Sequence, residues 1–275
     1  MAKVTMPGSL AVVTGAGSGI GRATAFALAE AGARVIAVDI NEVAAKDTAH
    51  ELGAEHHART VDVSDAGAMA ELATSVEQAL GVPDIVVNNA GIGMSGRFLD
   101  TTQEDWDAIL GVNLRGVING CAVFGPAMVA RRSGHVVNVS SGLGYIPAAD
   151  TPAYCTTKAA VLHLPRCLRH DWAVHGVGVS AICPGVINTP IAASTRYLGA
   201  SGEKTKDLAL KAFGRSHPPE HVAKAIITSI RRNRSIVPVG TESWGGWYLS
   251  RFAPTPLVDL VGRGAARAST WRTRG

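Results

Sequence analysis

Tyr154 and Lys158 carry the clearest chemistry in this 275-residue sequence. On a helix, their i, i+4 spacing places both side chains on one face. A free tyrosine has a pKa near ~10, and an adjacent ammonium group lowers that pKa by favouring the phenolate. The pair therefore predicts a tyrosine that exchanges its proton at neutral pH, as alcohol oxidation requires.

A Tyr-x-x-x-Lys spacing alone is common, but other polar residues accompany this one. Ser141 follows an apolar, β-branched run at residues 135–140, and the segment NNAG (88–91) ends an earlier run of the same kind. Asn113 lies in the predicted helix after that segment. Because ligands bind at the edge where parallel strands end, these residues indicate one shared site.

A glycine-rich segment, TGAGSGIG (14–21), joins the first predicted strand to the first predicted helix. Glycines let the backbone turn sharply and approach a ligand closely, and the amides and dipole at a helix start favour a pyrophosphate. The spacing differs from the G-x-G-x-x-G fingerprint, but the position between strand and helix indicates a dinucleotide site.

Asp39 ends the second predicted strand and bears on the choice of dinucleotide. A carboxylate at this position accepts hydrogen bonds from both hydroxyls of the adenosine ribose and repels a 2′-phosphate. The residues that follow Asp39 are Ile, Asn and Glu, and Ser18 stands where a basic residue would help to bind that phosphate. We therefore predict NAD rather than NADP.

Short apolar, β-branched runs alternate with stretches of helical character. The predicted strands are residues 10–14, 34–39, 85–88, 135–140 and 177–182, and the predicted helices are residues 21–31, 42–52, 66–80, 106–131 and 153–174. Such runs are typical of strands buried on both faces of a parallel sheet. The predicted fold class is α/β: a single-domain, Rossmann-like, doubly wound parallel sheet of about seven strands with helices on both faces. Pro165 is expected to kink its helix beyond Lys158.

The predicted domain organisation is simple. Residues 1–240 form a dinucleotide-binding catalytic domain, and residues 241–275 are a C-terminal extension of the same domain. Residues 188–217 are polar, rich in small residues and predicted to contain no strand. A helix from Pro218 to about Ile230 and an edge strand at residues 235–239 follow, because proline suits a first helical turn and Pro238 suits an edge strand.

The charge and the cysteines exclude several classes of protein. The net charge of +4 is concentrated in residues 231–275, which hold eight Arg against two acidic residues, so we predict no nucleic-acid partner. The four cysteines have no metal-ligand spacing, so reduced, mostly buried thiols and no metal site are expected. Neither a signal-peptide run nor an uncharged apolar stretch of spanning length is present, so we expect a soluble, cytoplasmic protein.

The motifs together resemble the short-chain dehydrogenase/reductase family over roughly residues 9–190. They are TGAGSGIG (14–21), NNAG (88–91), Asn113, Ser141, YCTTK (154–158) and PGVINT (184–189), in the family's order and spacing. The resemblance implies an NAD-dependent enzyme that interconverts a secondary alcohol and a ketone by direct hydride transfer. It also implies a homo-oligomer, expected to be a tetramer, in which the predicted helices at residues 106–131 and 153–174 form one subunit contact.

The resemblance implies a role for each catalytic candidate. Tyr154 would be the acid/base, Lys158 would bind the nicotinamide ribose and lower the pKa of Tyr154, and Ser141 would hydrogen-bond the substrate oxygen. Asn113 would hold a water molecule that relays the proton outward.

The same resemblance implies which residues contact the dinucleotide. They are Gly15, Ser18, Gly19, Ile20, Gly21, Asp39, Ile40, Asp62, Val63, Asn89, Ala90, Gly91, Tyr154, Lys158, Pro184, Ile187 and Thr189. Asp62 and Val63 would flank the adenine, and Ile187 and Thr189 would fix the nicotinamide carboxamide.

The substrate side is less defined by the sequence. The family places a substrate lid at residues 188–217, and Leu143, Tyr145 and Ile146 indicate an apolar wall. Residues 241–261 hold nine large apolar side chains, which are expected to be covered. We expect this tail to pack on the protein and border a pocket for bulky apolar alcohols. A subunit contact is compatible with that role, and a membrane surface is the less favoured alternative.

Two other functions stay open at this stage. An NAD-dependent sugar epimerase or dehydratase on a related fold also uses Tyr and Lys, but only about 85 residues follow Thr189, few for a sugar-nucleotide lobe. A non-catalytic dinucleotide-sensing protein commonly lacks the Tyr or the Lys, whereas this chain has both.

Overall fold

The computed structural model describes residues 4–200, 202–260 and 262–264. Its strands are β1 Leu10–Thr14, β2 Arg34–Asp39, β3 His57–Thr60, β4 Ile85–Asn88, β5 Met94–Ser95, β6 Gly134–Val139, β7 Val177–Pro184, β8 Arg196–Tyr197 and β9 Ile236–Val239. Seven of them form one parallel sheet in the order β3-β2-β1-β4-β6-β7-β9. The predicted number of strands is confirmed, and β9 lies at an edge of the sheet as predicted.

Helices connect the strands and cover both faces of the sheet. They are α1 Gly19–Glu30, α2 Glu42–Leu52, α3 Ala66–Leu80, α4 Gln103–Leu110, α5 Gly116–Arg131, α6 Pro152–Trp172, α7 Ile191–Ser194, α8 Gly202–Gly214, α9 Pro219–Arg232 and α10 Thr241–Phe252. The side chains of Asn41 and Asp65 cap α2 and α3, and a capping box between Thr102 and Asp105 begins α4.

The strands are apolar throughout because each of their faces is buried. Successive side chains of a strand point to opposite faces. Val13 of β1 therefore packs into a core with Leu28 of α1 and Ile226 of α9, whereas Val12 packs into a second core with Phe124 of α5. The predicted doubly wound α/β fold, with helices on both faces, is confirmed.

The predicted helix at residues 106–131 begins earlier and is not regular. α4 begins at Gln103, and a π-helical turn, Gly111–Arg115, joins it to α5. Asn113 lies in this turn, and π turns inside helices are frequent at functional sites. Gln103–Arg131 is long and apolar enough to cross a membrane. However, 56% of its most apolar 18-residue stretch is buried inside the fold, as in a core helix.

The expectation that residues 188–217 contain no strand was wrong. β8 pairs in parallel with β5, so this segment is attached to the loop after β4. A two-residue strand is too short to produce a periodic pattern in the sequence. α6 continues through Pro165 to Trp172, so this proline does not end the helix.

Candidate active site

One cavity of about 710 Å³ opens at the edge of the sheet where the parallel strands end. Of the predicted site residues, it is lined by Gly15, Ser18, Gly19, Ile20, Asp39, Ile40, Asp62, Val63, Asn89, Ala90, Gly91, Ser141, Tyr154, Lys158, Pro184, Ile187 and Thr189. The two that are not part of this lining are Gly21 and Asn113. The strand order thus brings together segments that are far apart in the sequence.

The turn after β1 has a backbone that requires glycine. The φ angles of Gly15 and Gly19 are 65° and 51°, a region that other residues rarely adopt. A methyl group on Gly15 would lie 2.9 Å from the Ala90 Cα atom, and one on Gly21 would lie 2.0 Å from the Gly15 carbonyl oxygen. Because Gly21 has no side chain, the first turn of α1 packs directly against the glycine turn. Together they form the kind of cradle that a pyrophosphate fills.

Thr14 holds this turn against the segment after β4, a role that the sequence did not predict. Its hydroxyl oxygen accepts hydrogen bonds from the backbone amides of Asn89 and Ala90, at 3.0 and 3.1 Å. The Asn89 side chain donates to the Thr14 carbonyl oxygen at 3.0 Å. A hydroxyl at the end of β1, directly before the glycines, is the sequence feature that marks this link.

The carboxylate of Asp39 is oriented by backbone amides at the end of β2. One oxygen accepts from the Gly17 amide at 2.8 Å, and the other accepts from the Asn41 amide at 2.9 Å. Each carboxylate oxygen has two lone-pair directions, so each retains one for a further donor. Together with the glycine cradle, this arrangement fits the adenosine ribose of a dinucleotide.

Tyr154, Lys158 and Ser141 meet at the wall of the cavity. The Lys158 Nζ atom lies 5.6 Å from the centroid of the Tyr154 ring and donates to the Val139 carbonyl oxygen at 3.1 Å. The Ser141 hydroxyl oxygen accepts from the Leu143 amide at 3.1 Å, and the interaction of its side chain with the Tyr154 hydroxyl lowers the pKa of that tyrosine. The i, i+4 spacing on α6 and the end of β6 account for this geometry.

Burial governs the protonation of this group. It raises the pKa of Tyr154 to about 12, against the hydrogen bond with Ser141, and it lowers the pKa of Lys158 to about 8. The resemblance implies that Lys158 lowers the pKa of Tyr154; in the protein alone burial is the largest influence on that pKa and raises it, so the effect of Lys158 stays a prediction. The Tyr154 hydroxyl is therefore protonated at neutral pH, as a proton donor must be.

Asn113 lies behind the cavity wall. Its side-chain oxygen accepts from the Ile92 amide at 2.8 Å, and its amide nitrogen donates to the Ile92 carbonyl oxygen at 3.0 Å and to the Thr157 hydroxyl at 3.4 Å. A methyl group on Gly91 would lie 3.2 Å from the Asn113 side-chain oxygen. Asn113 therefore fixes the loop after β4, and its implied part in a proton relay stays a prediction.

The rest of the lining is mostly apolar. It includes Met94, Leu143, Ile146, Ile191, Tyr197 and Phe213. Two residues of α10, Glu242 and Ser243, also line the cavity, although no motif pointed to them. They lie far along the chain from the other site residues, and only the tertiary fold brings them there.

The tail packs on the protein with one face only. The Tyr145 hydroxyl donates to the Ser243 carbonyl oxygen at 2.7 Å, and the Tyr145 and Trp247 rings meet edge to face at 5.5 Å. On the other face, Tyr248 and Phe252 stack and are 54% and 72% exposed in the single chain. The tail thus borders the cavity as expected, but its outer face is not covered. Residues 265–275 of the predicted extension lie outside the described residues.

The four cysteine thiols are mostly buried. Cys121, Cys155 and Cys183 are buried, whereas Cys167 is exposed. Burial raises the pKa of both Cys121 and Cys183 to about 12. Within the part of the chain that the structure describes, no group of three His, Cys, Asp or Glu side chains is placed to hold a metal ion.

Comparison with known proteins identifies the family. A profile of the short chain dehydrogenase family matches residues 9–197. A galactitol 2-dehydrogenase of Rhizobium johnstonii is 38% identical over 231 residues, covering 82% of this chain and 89% of that protein. A crystal structure of a short chain dehydrogenase/reductase from Burkholderia phymatum, in complex with NAD, superposes with a TM-score of 0.81 at 30% identity and covers 85% of this chain and 89% of that one. The chain belongs to the short-chain dehydrogenase/reductase family of oxidoreductases.

A longer relative shares more of the sequence. A protein of Mycobacterium tuberculosis named "Probable oxidoreductase EphD" is 45% identical over an alignment of 263 residues that covers 90% of this chain. The alignment covers only 44% of EphD, so the chain spans less than half the length of that relative.

Proposed function

We propose that this protein transfers a hydride between NAD(H) and a secondary alcohol or ketone with a bulky apolar body. The observation that carries the proposal is the contact of Tyr154, Ser141 and Lys158 at one wall of a cavity whose far end holds the glycine turn and Asp39. The dinucleotide supplies or accepts the hydride when bound. The protein supplies the position of the substrate and a proton.

The protein's own residues account for the proton. In ketone reduction, the Tyr154 hydroxyl donates its proton to the substrate oxygen, which Ser141 also hydrogen-bonds. In alcohol oxidation, the same oxygen atom of Tyr154 takes up the alcohol proton, and the Lys158 ammonium favours the phenolate form that this step requires. The hydrogen bond from Lys158 to the Val139 carbonyl oxygen orients that ammonium.

The apolar lining supports the proposed substrate class. The charged side chains among the lining residues are Asp39, Asp62, Lys158 and Glu242. The first two lie at the predicted adenosine end, and Lys158 is assigned to the chemistry. A phosphate or carboxylate on the substrate would therefore find no spare cation among the described lining residues, whereas an apolar body finds matching surface.

A substrate panel tests this proposal. Reduction of NAD⁺ should be fastest with bulky apolar secondary alcohols, such as steroid and long-chain secondary alcohols, and at least about tenfold slower in kcat/KM with polyols, because two or three buried methylene groups contribute that much binding energy. Galactitol serves as the matched polyol, since a 38%-identical relative is named for it. A preference for galactitol would contradict the apolar class, and turnover of no alcohol or ketone would favour a sugar epimerase or a dinucleotide sensor.

We also propose that the chain forms a homo-oligomer, expected to be a tetramer. The exposed apolar side chains of Ile118 on α5 and Val174 after α6, and the outer face of α10, support subunit contacts, because exposed apolar surface of this kind marks interaction sites. Light scattering at micromolar concentration should give about four times the chain mass of 28.4 kDa. The mass of a single chain would rule the proposal out.

A further inference from the structure

The segment at the end of β7, residues 184–189, is held in place by three residues from later in the chain. The Gly185 amide donates to the Val239 carbonyl oxygen at 2.8 Å, and the Asn188 amide donates to the His217 carbonyl oxygen at 2.8 Å. Between these two anchors, the Val186 amide donates to a side chain, the Glu242 carboxylate, at 2.7 Å. At the centre of the segment, the hydrogen-bond acceptor is therefore a side-chain carboxylate, whereas at both ends it is a backbone carbonyl oxygen.

Glu242 is itself fixed by its surroundings. It lies in the first turn of α10, where a negative charge is favoured by the helix dipole. Its second carboxylate oxygen lies 3.8 Å from the His217 Nε2 atom. Burial alone would raise the pKa of Glu242, but hydrogen bonds from its own backbone amide and from that of Val186 hold the pKa below its usual value. The carboxylate is therefore a charged acceptor for Val186.

The anchored segment reaches the cofactor end of the cavity. Ile187 and Thr189 line the cavity, and Gly19 of the glycine turn lies so close to Thr189 that an added methyl group would come within 3.1 Å of its Cβ atom. A shift of Val186 would therefore move the residues next to it, which border the bound dinucleotide under the proposed function. Glu242 lies outside residues 9–197, so the family match assigns it no role.

We propose that Glu242 is a positioning residue, which reaches back from the C-terminal tail to fix residues 184–189 and thereby the nicotinamide end of the dinucleotide site. This inference rests on the proposed function. It makes α10 a part of the cofactor site as well as a wall of the substrate pocket.

Gly185 provides an independent way to disturb the same contact. A methyl group on Gly185 would lie 2.2 Å from the Glu242 Oε1 atom, and its three nearest atoms all belong to Glu242. Gly185→Ala should therefore push the carboxylate away from the Val186 amide without removing it. In a chain that already carries Glu242→Ala, the same methyl group meets no carboxylate.

The experiment compares NADH binding, by fluorescence titration of the full chain, in five variants. Glu242→Ala should weaken NADH binding and raise KM for NAD⁺ by about tenfold, the effect of losing one hydrogen bond to a charged group. Glu242→Gln keeps an oxygen acceptor and should stay within about threefold of the unmodified protein. Gly185→Ala should resemble Glu242→Ala, and the double variant should bind no more weakly than Glu242→Ala alone, because contacting residues are not additive. Ser250→Ala, on an exposed position of the same helix, is the control.

The pattern of effects separates positioning from stability. In these variants, KM for the alcohol at saturating NAD⁺ should change less than KM for NAD⁺ does, because the lost contact anchors the cofactor end of the cavity. Glu242→Ala with NADH binding within twofold of normal, or effects of Gly185→Ala and Glu242→Ala that multiply in the double variant, would overturn the inference. An unmodified protein that binds no NADH would instead overturn the proposed function, and this inference with it.

Discussion

Tyr154→Phe is expected to lower turnover by about 10²- to 10⁴-fold, the contribution of a positioned general acid/base. The substitution removes the transferable proton but keeps the ring, which is partly buried in the cavity wall and lies beside the Lys158 ammonium. NADH binding should persist, because the glycine turn and Asp39 lie at the other end of the cavity. Steady-state rates and NADH titration of the same preparation measure the two properties.

The direction of the reaction gives this prediction a second readout. Because burial raises the pKa of Tyr154 to about 12, the protonated hydroxyl is available as a donor for ketone reduction across the neutral range. Alcohol oxidation needs the deprotonated form, so its rate should rise as the pH is raised above neutrality. Tyr197→Phe, at another tyrosine of the cavity lining, is the matched control. Near-normal turnover in Tyr154→Phe would assign the proton transfer to another group.

The sheet could be predicted from the sequence because its strands are buried on both faces. Val12 and Val13 are each apolar for the same reason, although they face different cores. β3 could not be predicted, because its residues His57–Thr60 are partly or fully exposed at the edge of the sheet and show neither an apolar run nor an alternation. The π turn at Gly111–Arg115 was also missed, since it differs from an α-helix only in its hydrogen bonds.

The candidate site could be predicted only where a motif marks it. Each motif lies on or directly after a strand or helix that the sequence indicates: the glycine turn and the NNAG segment follow strands, and the Tyr-Lys pair lies on a helix. The strand order then brings the three together. Glu242 and Ser243 follow β9 and have no such motif. Their contacts with Val186 and Cys183 join residues 56 and 60 positions apart, which local sequence patterns do not encode.

Under the proposed function, we expect the surroundings of Asp39 to determine the choice between NAD and NADP. Its carboxylate is held by the amides of Gly17 and Asn41, so it cannot turn away from a ligand without losing both hydrogen bonds. The lysine of α2, Lys46, is paired with Glu42 at the exposed start of that helix. A 2′-phosphate at this position would therefore meet a fixed negative charge, and the basic side chain nearby in the sequence is already engaged by an acid.

We expect kcat/KM with NAD(H) to exceed that with NADP(H) by at least about 100-fold, because placing like charges together costs several kcal/mol. Asp39→Ala should reduce this ratio in two ways. It removes the repulsion of the phosphate of NADP(H), and it removes the acceptor for the ribose hydroxyls of NAD(H). Asp39→Ala combined with Ile40→Arg should favour NADP(H) further, since Ile40 is exposed at the rim of the cavity and an arginine there would contact the phosphate. Asp47→Asn removes an exposed charge from α2 without freeing Lys46 from Glu42, and it should leave the ratio unchanged. Equal efficiency with both dinucleotides in the unmodified protein would contradict the prediction, because the fixed carboxylate would then not determine the choice.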